Sequence, residues 1–528
     1  MGYALLWLEV LAGELLLLAT LVACIGRIRW RWLRTGLLVS LVVVAVATYV
    51  AVLFVIGMLK GLRVVAATWG GPVWPLMIIL GVAAVGIALM GGRRTKQEPG
   101  VPGAATWPLG KLAVALVVVF ALNLMTFWNL DAAVKQRVAA LRIEAGALAL
   151  SVAPPSVPDR DNAAVVYEQA FERMGSEETW EKRWIAKWTD WVHSDRAGFD
   201  PEDAEMRELL DQQAPTLSLL RGLVDKPACY FRHDYARPSM TLLLPEMVRI
   251  RHAARLVALD ARSQIAAGEI PEAVDDVNAL FAMAEHAGTV PILVVMLVSG
   301  GIENLAVDTL EELLACGQAS REQLARIEVP DTLSYRRLFD RAMHMEEAFG
   351  LSIFYEYGAP MRLEEIVRGE LSWMCIPELA PLYRVFLLDD DAALYREIMR
   401  RNKQLAARPF YESARDWKGY SGTVASEGRG LLTHVLLPAL EHAAQLSARF
   451  DARHRLARLA VAVSLDRDKL AELPSHLPPD PFDGKPLKWK QTDDALVLYS
   501  VGPDRVDNGG EPIDVEPFTG DIIFRLPK

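Results

Sequence analysis

The chain has 528 residues, 52% of them apolar, and a formal net charge of −10 at pH 7. Residues 1–130 hold ten Lys and Arg against three Glu; of the chain's 56 basic and 66 acidic residues, that leaves 46 and 63 beyond them, a balance of −17. So acidic a remainder argues against nucleic acid as a partner, because that needs a basic face to release counterions, and four cysteines without a close pair argue against a disulfide scaffold, a zinc knuckle or a Cys-x-x-Cys redox pair.

Four apolar runs, at 3–25, 36–59, 73–90 and 109–129, are each long enough to cross a bilayer, which takes roughly 20 helical residues. The first lacks a basic segment before it, so it is expected to be a retained helix and not a signal peptide. Arg27, Arg29, Arg31 and Arg34 fill the first loop, and Arg93, Arg94 and Lys96 the third, whereas the second has only Lys60 and Arg63. The positive-inside rule then puts loops one and three in the cytoplasm, and the N-terminus and the large C-terminal part outside. Trp7, Trp69, Trp74 and Trp128 would anchor the outer interface, and Trp30, Trp32 and Trp107 the inner. Glu14 falls near the middle of the first run. A carboxylate at that depth is costly and points either to a relay or partner-helix contact or to a protonated acid bonded within the bundle.

Residues 131–160 read as a juxtamembrane helix ending in a Pro-rich linker, SVAPPSVPDRDN, with Asn162 as the cap of the next helix. Residues 177–192 carry Trp180, Trp184, Trp188 and Trp191 on one helical stripe. Three environments suit such a stripe: the membrane interface, an aromatic ligand platform, or the core. From 246 the spacing is regular. Met247, Ile250, Ala254, Val257, Ala261 and Ile265 make one face, Gly268 stops that helix, and Pro271 opens another with Ala273, Val277, Leu280, Phe281 and Ala284. The stretch ARLVALDARSQIAAGEIPEAVDDVNALFAMA resembles a tetratricopeptide-like helical hairpin, although no 34-residue period extends it. Further helices are expected near 290–316, 320–327, 332–356, 388–406 and 428–465. The domain from 161 to 465 is therefore an irregular helical array.

Among the nine histidines there is no HExxH and no ligand pair with an acid on one stripe. His252, His286 and His344 stand alone in helices, and His434 and His442 lack a third ligand, so core or solvated histidines are expected. Cys229, Cys316 and Cys375 are expected as buried thiols, with one disulfide left open for an oxidising compartment.

Composition changes in the last sixty residues, 466–528. Prolines interrupt the helical pattern, and LKWK, ALVLYSVG and DIIFRL read as short strands. Asp480, Pro481, Gly484, Pro486, Trp489, Tyr499, Ser500, Gly502, Asp504, Asp507, Gly509, Gly510, Asp521 and Ile522 together resemble the C-terminal region of the major pseudopilins of type II secretion systems. The same tail follows helical bodies in a broad set of bacterial envelope proteins, which the whole soluble part resembles. That resemblance implies a calcium site drawing on Asp504, Asp507 and Asp521, hard oxygen donors of the kind calcium takes. Arg505 departs from it, standing where the pseudopilins usually have Gly. The first helix departs too, lacking the leader and the early Glu of a pilin, so prepilin processing is not expected.

The expected protein is thus mainly α: four transmembrane helices at 1–130, an irregular helical domain and a small β-rich cap. The function expected of it is that of a bacterial inner-membrane protein whose extracytoplasmic body binds other proteins, with the lipid bilayer as its other partner and no catalysis assigned. Two alternatives stand beside it: a membrane-anchored hydrolase with a dispersed site, and a small transporter or sensor using Glu14.

Overall fold

Apolar residues recurring every three to four positions between capping signals make helices, and among the described residues helices dominate, beside one small three-stranded sheet. The structure, a computed structural model, describes residues 132–175, 203–239, 242, 244–356, 388–417, 433, 440–466, 477–512 and 519–527. The four apolar runs, Glu14, the Trp180, Trp184, Trp188 and Trp191 stripe, Cys375 and His434 lie outside the described residues. Two compact units are present. One comprises Met1–Leu141, Phe354–Leu394 and Gly428–Val435; the other comprises Arg142–Ile353, Tyr395–Glu427 and Leu436–Lys528.

In the first unit, helix α1 begins (residues 132–152 are helical). Arg137 pairs with Asp389, and the buried Asp391 carboxylate accepts from the Thr433 hydroxyl at 2.6 Å and its N–H at 3.3 Å.

The second unit holds the rest of the described chain. Gly146 of α1 comes so close to the turn at Ala236 that a Cβ there would stand 2.7 Å from the Ala236 carbonyl oxygen. Asn162 caps α2 (Ala163–Met174), accepting from Ala164 N–H at 3.1 Å. The same side chain accepts from Tyr230 N–H and donates to Tyr230 O, so one buried amide ends the linker and ties it to the chain 68 residues on. Helix α3 (Ala204–Arg221) is capped by Asp203 and runs through Pro215. It is absent from the sequence-based expectation, since an internal proline reads as a break.

The hairpin expected from 246 onward is present as α4 (Pro245–Ala267) and α5 (Ile270–Ala287). Gly268 takes φ 79°, the left-handed cap that ends a helix. Helix α6 (Leu293–Ala315) packs against α4, α5 and the C-terminal part of the unit. Among the described residues it alone is long and apolar enough to cross a membrane, yet it is a core helix: Val295, Met296, Ile302, Leu310 and Leu313 are all buried. Fully burying side chains of this kind stabilises by about 1.5–3 kcal/mol each, an upper estimate for a compact unfolded chain. The half-buried Glu346 carboxylate caps α6 at Leu293 N–H, 3.1 Å away, and desolvation pushes its carboxyl up.

Then follow α7 (Arg321–Leu324), α8 (Tyr335–Glu356), α9 (Leu388–Ala406), the helical residues 410–417 (α10) and α11 (Leu440–Leu465). Strands β1 (Lys488–Gln491), β2 (Ala495–Ser500) and β3 (Ile522–Pro527) form an antiparallel meander in that order. The register pairs Trp489 with Leu498 and Leu498 with Phe524. β2 is buried throughout and β3 packs on α6 and α11. One hydrophobic core therefore runs from Ala149 through the helices to Leu498 and Phe524. The cap shares the core of the body.

Candidate functional site

A cleft of about 130 Å³ opens where the start of α8, the end of α9, α10, α11 and the Pro-rich segment before β1 meet. Its floor is apolar, with Phe339, Leu405, Trp417 and Ala448 all buried, and the Phe339 and Trp417 rings lie 6.1 Å apart. Its charged groups are Arg336, Arg408, Arg455 and Asp451. Asp451 caps α8, accepting from Tyr335 N–H at 2.7 Å and Arg336 N–H at 3.4 Å. Burial pushes the Asp451 carboxyl up, while Arg455 and those two N–H groups pull it down. Arg336 Nη1 donates to Ala407 O at 2.9 Å. Arg455 donates to Pro479 O and lies 4.0 Å from Asp451. Arg408 pairs with Asp416, just behind it. Ser413 donates its hydroxyl proton to Pro409 O, just before α10, and Ser447 to Ala444 O of its own helix.

The tail motif builds the far wall. Asp480 is buried, with Oδ1 accepting from Phe482 N–H and Ser500 Oγ and Oδ2 from Val501 N–H, all within 2.9 Å. It stitches the turn to the end of β2. Gly484, at φ 74°, lies beneath the Tyr411 ring, where a Cβ would come within 2.9 Å of ring carbons. Of the tail residues singled out in the sequence, Asp480, Ser500 and Gly484 thus have structural work there.

The three aspartates expected at a calcium site all belong to the loop between β2 and β3. Asp504 accepts from Val506 N–H and Gly520 N–H. Asp507 accepts from Gly509 N–H and the Tyr499 hydroxyl, with Lys488 at 3.3 Å. Asp521 accepts from Asn508 N–H and Gly510 N–H; burial pushes its carboxyl up, and the Asp507 and Asp504 charges add to that against the two N–H groups. Both oxygens of each carboxylate already face a donor, and among the described residues no group of three His, Cys, Asp or Glu is arranged to hold a metal ion. As arranged among the described residues, these carboxylates are turned to backbone N–H groups, the Tyr499 hydroxyl and Lys488. Arg505 adopts φ 62°, the conformation a glycine would take there. Its guanidinium reaches the carbonyls of Phe410 and Tyr411 at 3.4 and 3.3 Å and lies 5.7 Å from the centre of the Phe410 ring.

Other polar groups lie in the core or at its edge. Arg221 holds Asp276 with two bonds, at 2.6 and 3.2 Å, and also bonds Asp260, which accepts from Gln264 as well. One guanidinium between two acids leaves a charge uncompensated, and burial pushes the carboxyls of both Asp260 and Asp276 up. His454 is bonded to Glu303, and both are buried. Ser299 Oγ, near them through Tyr335, gives its proton to Ala284 O and is itself fully buried. His286 lies between the Tyr167 hydroxyl and Lys226 O. His252 is buried as expected, His442 exposed and His344 part-buried. Cys229 and Cys316 are free thiols, Cys229 buried as expected and Cys316 only half-buried. Burial and the Glu246 charge push the Cys229 thiol up to about 12, the opposite of what a nucleophile needs. The Arg221 and Glu303–His454 groupings have no local sequence signal, because Arg221 is 39 and 55 residues from its acids and Glu303 is 151 from His454; the cleft draws on separate stretches between 336 and 481.

No family model, curated protein or solved structure matches the chain.

Proposed function

We propose that this is a bacterial inner-membrane protein that presents a binding body, with no catalysis assigned, outside the cytoplasm. Four transmembrane helices at 1–130 would carry it, with the N-terminus and the body outside. Its partners would be the bilayer and other envelope proteins. The observation that carries this reading is the seam: helical body and cap share one core, and the cleft between them has an apolar floor and charged groups along its walls. A pocket of that composition is a binding site in type. The arginine-rich first and third loops support the orientation, and the likeness of the tail to pseudopilins supports the envelope.

Topology tests it. Reporters active only outside and only inside the cytoplasm, fused after Lys528, should give signal from the outside reporter alone. Signal from the inside reporter would overturn the orientation and make the body a cytosolic one.

A further inference from the structure

We propose that the cleft at the seam is a site for an organic carboxylate carrying one apolar group of about ring size. The inference goes beyond the binding role above, because it holds on whichever side of the membrane the body faces.

Size, charge and layout support it. A volume of about 130 Å³ is close to the roughly 150 Å³ apolar cavity that accepts a single benzene ring. The floor is hydrocarbon and aromatic: Phe339 and Trp417 present rings, and Leu405 and Ala448 fill between them. That surface suits a ring or a branched aliphatic group. It gives a highly polar ligand nothing to bond.

The charges are uneven. Arg336, Arg408 and Arg455 line the cleft, and two acids answer them: Asp416 pairs with Arg408, and Asp451 lies 4.0 Å from Arg455. Arg336 makes no ion pair among the described residues. Its Nη1 is fixed on Ala407 O, which orients the fork. Asp451 is already the counter-charge of Arg455, 4.0 Å away, and is not available to Arg336 as well. One positive charge is left over beside an apolar floor. The arginine side chains at the mouth are partly exposed, Arg408 to 41% and Arg455 to 31%, whereas the floor residues are at most 5% exposed. An anion held at that mouth would direct its apolar group inward. Guanidinium matches a carboxylate in a planar, two-bond geometry. The serine hydroxyls spend their protons on backbone carbonyls, which leaves the arginines, beside Tyr411, as the charged side-chain donors for the anion.

A free acid and the C-terminal residue of a polypeptide share this chemistry, and the test separates them. The full-length protein in detergent is titrated calorimetrically with benzoate, with benzamide, and with a tetrapeptide ending in phenylalanine as its acid and as its amide. The acids should bind about tenfold or more tighter than the corresponding amides, and raised salt should weaken them. The tighter of benzoate and the peptide acid identifies the source. Arg336→Gln should lose that preference, with Arg408→Gln as a second variant should the first fail to fold; Arg336→Lys should keep part of it. All variants share the same micelle, so partition into detergent cancels. Equal binding of acid and amide, no saturation up to about 10 mM, or a preference unchanged in a folded Arg336→Gln protein would overturn the proposal.

Discussion

Arg221 shows how much a single side chain can be asked to hold. It is the cation for two buried acids from two different helices, Asp260 on α4 and Asp276 on α5. Removing it leaves the carboxylate it balances in the core without a counter-charge, and breaking a buried pair in this way costs about 3–5 kcal/mol. Removing one acid instead leaves a balanced pair. Arg221→Met should therefore lower the melting temperature severely, and Asp276→Asn should cost only about 1 kcal/mol, the worth of an ordinary hydrogen bond. Thermal unfolding of the two variants side by side decides it, and similar losses in both would refute the account. At this scale little could be read from the sequence. Asp276 looks like any acid in DDVN, and Glu303 and His454 are 151 residues apart. Local signals fared better: the Asn162 cap and the Gly268 stop are where the pattern puts them.

Elements were legible where period and punctuation agreed. The α4–α5 hairpin has regular spacing with Gly268 and Pro271 between its helices, and β1 to β3 follow the three expected segments. Helix α3 was not, because Pro215 interrupts a run whose apolar residues, Met206, Leu209, Leu210, Leu217 and Leu220, are otherwise at helical spacing. The cleft was not either, since its walls come from four separate parts of the chain. The loop between β2 and β3 lies between these cases. Its aspartates were legible, but their partners, backbone N–H groups, carry no side-chain signature. Arg505 replaces an expected glycine, and its contacts with Phe410 and Tyr411 offset the strain of a left-handed conformation, about 1–2 kcal/mol for an L-residue. The expected outcome is that calcium leaves the melting temperature where magnesium leaves it, whereas Arg505→Ala lowers it. A ligand present at about 100 times its Kd adds about 2.7 kcal/mol, so a bound calcium would be plain in such a scan, and a calcium-specific rise would show that the loop takes a cation after all.

For the whole molecule, buried titrating groups set opposing slopes of stability against pH. Burial, with Arg255 and Arg251 nearby, lowers the His252 imidazole to about 4, from about 6.5 in the unfolded chain. Its folded form binds the proton more weakly, so its contribution is complete above about 6.5 and is lost as the pH falls through 4. His286 shifts the same way, chiefly through burial. Asp276 runs opposite. Burial raises its carboxyl to about 8, against about 3.9 unfolded; its contribution is complete below the unfolded value and is lost as the pH rises through the folded one. The histidines therefore penalise acid and the Arg221 centre penalises alkali, which places the optimum between them. Melting temperature against pH should rise from pH 4 toward neutrality and bend down as Asp276 gives up its proton. In Asp276→Asn the alkaline descent should flatten while the acid limb stays, because His252 and His286 are untouched. An unchanged descent in that variant would mean that the uncompensated charge between Asp260 and Asp276 is not what limits stability above neutral pH.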